Sequence, residues 1–236
     1  MNRPASKTNS LDAIALFKGL PSAALRELEK KCAFRDVATH EQIFDRDNDS
    51  RDIYFVLSGR VRIVNYSMSG REVSFDDIAA GGTFGELAAI DGKPRSASVV
   101  AREDSTLAVL EPGDLLELAV KHPQVAIALM RRLAQIVRTS TERIMDLSTL
   151  GAHNRVYAEL LRLARSNEKT KADKTGTISP IPTHSEIASR VSTTRETVAR
   201  VLSELQHSGL VRREHDALIV ADLDRLTHMV EEFRGE

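Results

Sequence analysis

From residue 33 to residue 111 apolar and polar positions alternate in short runs, broken every few residues by turn-forming side chains. "DIYFVLSGRVRIVNY", "EVSFDDI", "SASVVARED" and "STLAVLEPGD" carry the period of two that sends successive side chains to opposite faces of a strand. Short strands at such intervals predict a barrel, sandwich or roll. "LSGR" at 57–60 predicts a turn between two paired strands, with Gly59 supplying permissive backbone. A helix is predicted ahead of the strands over "SAALRELEKKC", directly after Pro21.

After Gly113 the pattern turns helical, and "PQVAIALMRRLAQIVRTSTERIMDLSTL" (123–150) is its longest segment. Pro123 suits a first helical turn, where its missing N–H costs nothing. Ala126, Leu129, Leu133, Ile136, Ser140 and Leu147 keep a 3-4 rhythm with Ile144 beside it, the seam of a two-stranded coiled coil. Such a helix either pairs with a second copy or lies on the strand domain; its length favours the pair. Ser140 interrupts the seam with a hydroxyl that needs a partner, either the other subunit or a ligand. Further on, "SNEKTKADKTGTISP" (166–180) predicts a surface loop.

"PTHSEIASRVSTTRETVARVLSELQHSGLV" (182–211) predicts two short helices with a tight connection. Thr183 with Glu186, and Thr193 with Glu196, have the S/T-x-x-E spacing of a capping box, so two helix starts are signalled close together. Ile187, Ala188 and Val191 point inward from the first helix; Val198, Val201, Leu202 and Leu205 do so from the second. That leaves Arg195, Glu196, Ala199 and Arg200 on the outer face. Arg can bond guanine O6 and N7 together, and Glu can accept from cytosine N4, so this face can tell base pairs apart. A surface ion pair between Glu196 and Arg200 is the competing explanation. "LVRREHDALIV" (210–220) predicts a β-hairpin wing with Arg212 and Arg213 placed to meet phosphates.

Charge supports this helix-turn-helix. The chain has 236 residues and a formal net charge of −1, but that neutrality is local cancellation. Arg155–Arg213 holds eleven Lys or Arg against six Asp or Glu, and from Glu214 onward seven acids face two bases. At 42% apolar and 28% charged residues the chain can bury real cores. No apolar run approaches the roughly 18 residues that cross a bilayer, and "MNRPASKTNS" lacks a secretory apolar core, so a cytoplasmic protein is expected. Cys32 is the sole cysteine, which excludes an intrachain disulfide framework and a Cys-ligated cluster within one chain. The seven histidines are scattered, so no metal-assisted hydrolytic site is expected and the chain is read as no enzyme.

Phe84–Val99, "FGELAAIDGKPRSASV", places Glu86 nine residues before Arg95, among two glycines and two small hydroxyls. A structural ion pair would explain the charges. A ligand with an anion and sugar hydroxyls would explain the glycines and serines too. "GELAAI" can open a short helix whose first N–H groups attract a phosphate, with Arg95 and Ser96 adding charge and a donor. Glu86 would repel that phosphate, but it can accept from a ribose hydroxyl, as acids do in dinucleotide sites. One phosphodiester charge beside a free 2′-hydroxyl describes a 3′,5′-cyclic nucleotide.

The same stretch closely resembles the phosphate-binding cassette of cyclic-nucleotide-binding domains, F-G-E-[LI]-A followed by P-R-[ST/A]-A. "TTRETVARVL" resembles the recognition helix of the Crp/Fnr superfamily, and the parts follow that family's order from about residue 11 to residue 220. The resemblance implies an α+β chain: a jelly-roll-like β-roll over 11–121, a dimerisation helix over 122–150 and a winged helix-turn-helix over 151–236. By position, Gly85 and Ser96 would hold the phosphate, Arg95 would pair with it and Glu86 would hold the ribose, with Leu87 in the same site. Ser140 and Thr141 would approach the base, one from each subunit. Arg195, Glu196 and Arg200 would read a palindrome with TGTGA-like half-sites, while Thr194, Thr197, His184 and Ser185 would touch phosphates.

The implied molecule is a homodimeric bacterial transcription regulator, an activator with cyclic AMP, and also cyclic GMP, as effector and no metal. Its partners would be double-stranded DNA and RNA polymerase, the latter through the 166–180 loop. A regulatory subunit acting on a partner protein is the alternative, though it would leave the helix-turn-helix idle. Two departures stand out. "HEQIFDRDNDSRD" lacks the family's Gly before its first acid, and Ser192 stands where the helix-turn-helix usually has Gly in a left-handed turn.

Overall fold

The alternating segments form two four-stranded antiparallel sheets, one ordered Ala33–Val37, Ser105–Leu110, Ile53–Ser58, Thr83–Phe84 and the other Gln42–Phe44, Ser98–Ala101, Arg60–Tyr66, Glu72–Ala79. The computed structural model describes residues 10–165 and 174–232. Its chain divides into two compact units, residues 1–135 and 136–236. In the first, two 3-10 turns (Leu11–Ala13, Ala15–Phe17) and helix α1 (Ser22–Lys31) precede β1 (Ala33–Val37), β2 (Gln42–Phe44), β3 (Ile53–Ser58) and β4 (Arg60–Tyr66). Then come β5 (Glu72–Ala79), β6 (Thr83–Phe84), α2 (Glu86–Asp91), β7 (Ser98–Ala101), β8 (Ser105–Leu110), α3 (Pro112–Lys121) and the start of α4 (Pro123–Thr149).

Strand β3 is buried on both faces, which is why "IYFV" reads as a continuous apolar run. Tyr54 and Val56 join Phe44, Val61, Phe84, Val99 and Leu107 in the core of the roll. Ile53 and Phe55 face the other way, against Leu11, Ile14, Phe17, Leu28, Leu115, Val125 and Leu129. The predicted turn at 57–60 is present, but the strands it joins belong to different sheets and do not pair. Gly59 has φ 83°, and a Cβ there would lie 2.2 Å from the Ser105 hydroxyl oxygen, so this crossing between sheets requires glycine.

Helix α4 spans the predicted segment, and beside the predicted seam, of which Leu147 is exposed, a second apolar stripe lies open one position along. Leu129 is held in the cluster around Ile53 and Phe55, and Leu133 and Ile136 are half-buried. Its exposed large side chains are Ile127, Met130 (60%), Val137 (63%), Ile144 (62%), Met145 and Leu147, and the first four of these with Ala134 and Thr141 keep a 3-4-3-4 rhythm. Two apolar stripes run along this helix, and its own domain takes the richer one near the N-terminal end. Thr141 therefore lies in the exposed stripe and Ser140 beside it.

The second unit holds the rest of α4, then α5 (Ala152–Arg165), β9 (Gly176–Ile178), α6 (His184–Arg190), α7 (Arg195–His207), β10 (Val211–Glu214), β11 (Ala217–Val220) and α8 (Leu223–Glu231). Strands β10-β11-β9 form an antiparallel sheet over a core that includes Leu160, Ile187, Val198, Val201, Leu218 and Leu226. The predicted loop at 166–180 is thus partly strand: β9 pairs Ile178 with Leu218. Three residues were too few to show a period. The remainder of that loop, 166–173, lies outside the described residues.

Ser192 adopts φ 52°, the left-handed turn predicted for it. A non-glycine residue there carries strain of about 1–2 kcal/mol. Ser192→Gly is expected to raise unfolding stability by about 1 kcal/mol, measured as a shift in the denaturant midpoint at unchanged slope.

Candidate functional site

Gly85 closes β6 onto α2 with φ 81°. A Cβ there would come within 2.8 Å of Arg95 Nη1 and 2.9 Å of the Asp52 carbonyl oxygen, so only glycine lets the cassette close over Arg95. Arg95 itself is 2% exposed. Its Nη1 donates to the Gly85 carbonyl (3.0 Å), Nη2 to the Asp52 carbonyl (2.7 Å) and Nε to the Ser50 hydroxyl (3.1 Å). The guanidinium also lies 4.2 Å over the Phe44 ring and 5.6 Å from that of Tyr54.

These partners are neutral or aromatic, and among the described residues no carboxylate forms an ion pair with Arg95. Burial pushes its pKa down from the usual guanidinium value, while Tyr54, Asp52 and Glu86 pull the other way. A guanidinium stays protonated at any physiological pH. The cassette therefore holds a desolvated full charge whose direct partners are neutral, an arrangement that an anion would stabilise.

The loop at 45–52 builds this seat without the family's usual Gly. Asp47 takes the left-handed conformation at φ 64°, its N–H donates to the Arg95 carbonyl, and the Arg95 N–H donates to the Asn48 carbonyl, both at 2.9 Å. Ser96 is exposed, and its carbonyl receives Asn65 Nδ2 at 3.3 Å. Leu87 is 41% exposed at the mouth of α2.

Glu86 is 4% exposed and does not pair with Arg95. Its Oε1 accepts from Arg132 Nε on α4 at 3.2 Å. The ion-pair explanation for Glu86 thus holds with a different cation, and Arg95 is left for another anion. Ser140 and Thr141 are exposed on the part of α4 that belongs to the second unit; the Thr141 hydroxyl donates back to the Val137 carbonyl at 3.0 Å.

In the second unit, Thr183 and Glu186 form the predicted reciprocal capping box at the start of α6. The second helix start is shifted by one residue. Thr193 is buried in the turn, its N–H donating to the Ala188 carbonyl, and Thr194 is the N-cap of α7, accepting from the Thr197 N–H. Thr197 is half-buried, and its hydroxyl lies 3.2 Å from that of Thr194.

Arg195, Glu196 and Arg200 are all exposed on α7, as are His184 and Ser185 on α6. No Glu196–Arg200 ion pair forms among the described residues. Instead the Glu196 carboxylate accepts from its own N–H and the Thr194 hydroxyl, which hold its pKa below the ordinary value. The competing explanation for this charged face is therefore absent. β10 and β11 make the predicted wing; Arg212 pairs with Glu214 at 2.6 Å, while Arg213 is exposed and makes no ion pair among the described residues.

The family profile described as "Cyclic nucleotide-binding domain" matches residues 34–122, and "Crp-like helix-turn-helix domain" matches 154–229. The "Cyclic AMP receptor protein" of Thermus thermophilus is 36% identical over 170 residues, 72% of this chain and 75% of that one. This chain belongs to the Crp/Fnr family of transcription regulators. Another Crp-like relative, the "CRP-like cAMP-activated global transcriptional regulator" of Mycobacterium tuberculosis, is 26% identical over 89% of this chain and 94% of its own. The fold agrees with a CooA mutant from Carboxydothermus hydrogenoformans, with a TM-score of 0.79 and 20% identity over 95% of this chain and 97% of that one.

Within this Crp-like frame, sequence reasoning missed Ser50, Asp52 and Arg132. The first two lie more than forty residues before Arg95 in a loop without periodicity, so only the fold brings them to it. Arg132 lies in a helix whose sequence pattern shows only its apolar seam. Among the described residues no cluster of His, Cys, Asp or Glu could hold a metal ion, and no helix is long and apolar enough to cross a membrane.

Proposed function

We propose that this Crp/Fnr regulator is a cytoplasmic homodimer switched by cyclic AMP, with cyclic GMP as a second ligand of the same seat, and that it has no enzymatic activity. The observation that carries this is the buried Arg95 charge, which meets only neutral partners beside Ser96 and Glu86. Arg95 takes the cyclic phosphate, with Gly85 and Ser96 closing around it. Glu86 accepts from the ribose 2′-hydroxyl with Arg132 steadying its charge, Leu87 covers the sugar, and Ser140 and Thr141 meet the base from the two subunits.

Calorimetric titration tests the seat directly: cyclic AMP and cyclic GMP are both expected to bind, with cyclic AMP tighter. 2′-Deoxy cyclic AMP is expected to bind roughly 10- to 100-fold more weakly, the worth of one hydrogen bond to a charged group. In Glu86→Gln that preference for the ribose should shrink to a few-fold. An undiminished preference would take Glu86 off the ribose.

The exposed stripe Met130, Val137, Thr141 and Ile144 supports pairing of two α4 helices. Two copies then present α7 helices to successive major grooves, about 34 Å apart. Arg195, Glu196 and Arg200 read base edges there, and His184, Ser185, Thr194 and Thr197 meet phosphates. The favoured target is a TGTGA-like palindrome, at which the protein acts as an activator that contacts RNA polymerase. Arg200→Ala is expected to cost about 1–3 kcal/mol of specific binding and to relax selectivity at one base pair of each half-site. Competition against single-base-pair variants of the site checks this.

A further inference from the structure

Leu150 and Gly151 are the whole connection between α4 and α5, and a glycine in so short a link looks like a swivel. The contacts around it say otherwise. Leu150 is buried in the core that holds Val156, Leu160 and Ile187. Gly151 has no positive φ, and a Cβ there would meet nothing within 4 Å, so the backbone does not use glycine's freedom.

Arg155, in the first turn of α5, ties this link to the helix-turn-helix. Its Nη1 donates to the Leu150 carbonyl (2.8 Å), its Nε to the Val191 carbonyl (2.8 Å) and its Nη2 to the Ser192 carbonyl (3.2 Å). One planar fork thus holds both the end of α4 and the strained turn between α6 and α7. A second bridge runs alongside. Asp146, in the last turn of α4, accepts from Arg162 Nη2 at 3.0 Å. Arg162 also pairs with Glu159, and Glu159, fully buried, accepts from Arg190 of α6 at 3.1 Å. Removing one member of such a buried ion network leaves a charge without its partner, so these bridges resist opening.

We infer that the last turn of α4, α5 and the helix-turn-helix move as one block, with Arg155 as the positioning residue that holds the α6–α7 turn to the end of α4. The swing that nucleotide drives is then delivered upstream of Asp146. The last turn of α4 accordingly belongs to the same compact unit as α5 and the helix-turn-helix. The inference rests on the nucleotide-switched reading of the site; the rigidity of the block can be tested separately.

The test uses the full chain in a Cys32→Ser background, with spin labels on cysteines placed at Thr149 and Ser203, both exposed. Labelled chains are diluted with unlabelled ones so that only distances within a protomer are read. With the native link, and with Gly151→Ala, the distance and its width are expected to be the same with and without cyclic AMP. Arg155→Met should broaden the distribution and cut the tightening of DNA binding by cyclic AMP about tenfold, with cyclic AMP affinity by calorimetry unchanged within error. Arg155→Lys keeps the charge but not the fork, and should behave as Arg155→Met does. A cyclic-AMP-dependent shift of the native distance would overturn the block, as would an Arg155→Met protein with native width and native coupling. If cyclic AMP gives no binding heat, the nucleotide reading fails instead, and the label width in Arg155→Met still decides the block.

Discussion

Replacing Arg95 with Gln is expected to lower affinity for cyclic AMP by about 2–5 kcal/mol, roughly 30- to 4,000-fold. The native guanidinium is already desolvated and oriented by Ser50, Asp52 and Gly85, so the anion meets a charge that needs no rearrangement. Glutamine fills part of the space and removes the charge. Arg95→Lys keeps the charge, but a single ammonium cannot span three acceptors on a planar fork, so it should recover only part of the loss. Thermal melting separates the effect from unfolding, because Gln can still bond to one of the orphaned carbonyls. A nearly native affinity in a folded Arg95→Gln protein would mean that the anion is held elsewhere.

The second large effect is expected from Val137→Asp with Ile144→Asp. Both side chains are more than 60% exposed in the single chain, so the substitutions leave each unit's core intact. In a paired α4 seam they would set four carboxylates against apolar neighbours. Sedimentation should show monomers, and affinity for the palindrome should fall by about 10²- to 10⁴-fold, the avidity of linked half-sites. Affinity for a single half-site should stay near native. A double variant that sediments as a dimer would place the interface on another face.

Much of this was legible because the informative residues are close in sequence. Glu86, Arg95 and Ser96 lie within one turn and loop, and Thr183, Glu186, Arg195 and Arg200 lie on two adjacent helices. What escaped depended on long-range packing. On α4, Leu129 of the predicted seam is buried while Met130 and Val137, one position along, stay exposed; both sets obey the same rhythm, and only the packing of the first unit distinguishes them. Glu86 could be recognised as an acid with a purpose, but its cation sits 46 residues away on α4. Thr193 and Thr194 offer adjacent hydroxyls, and the tight turn buries the first, so the second caps α7. Helix α8 went unnoticed behind the wing, although Leu223, Leu226 and Val230 have helical spacing and are buried.

The central claim is a switch: nucleotide at the roll must favour the DNA-competent arrangement by about 1–3 kcal/mol of coupling or more. Tight binding without a preference between arrangements would shift nothing. Fluorescence anisotropy on a labelled TGTGA-type palindrome measures this most directly, at fixed salt, with no nucleotide and with saturating cyclic AMP or cyclic GMP. Cyclic AMP is expected to tighten binding to the palindrome by about 5- to 150-fold, with little change on scrambled DNA. Equal affinity with and without nucleotide, in protein shown by calorimetry to have bound it, would contradict the switch.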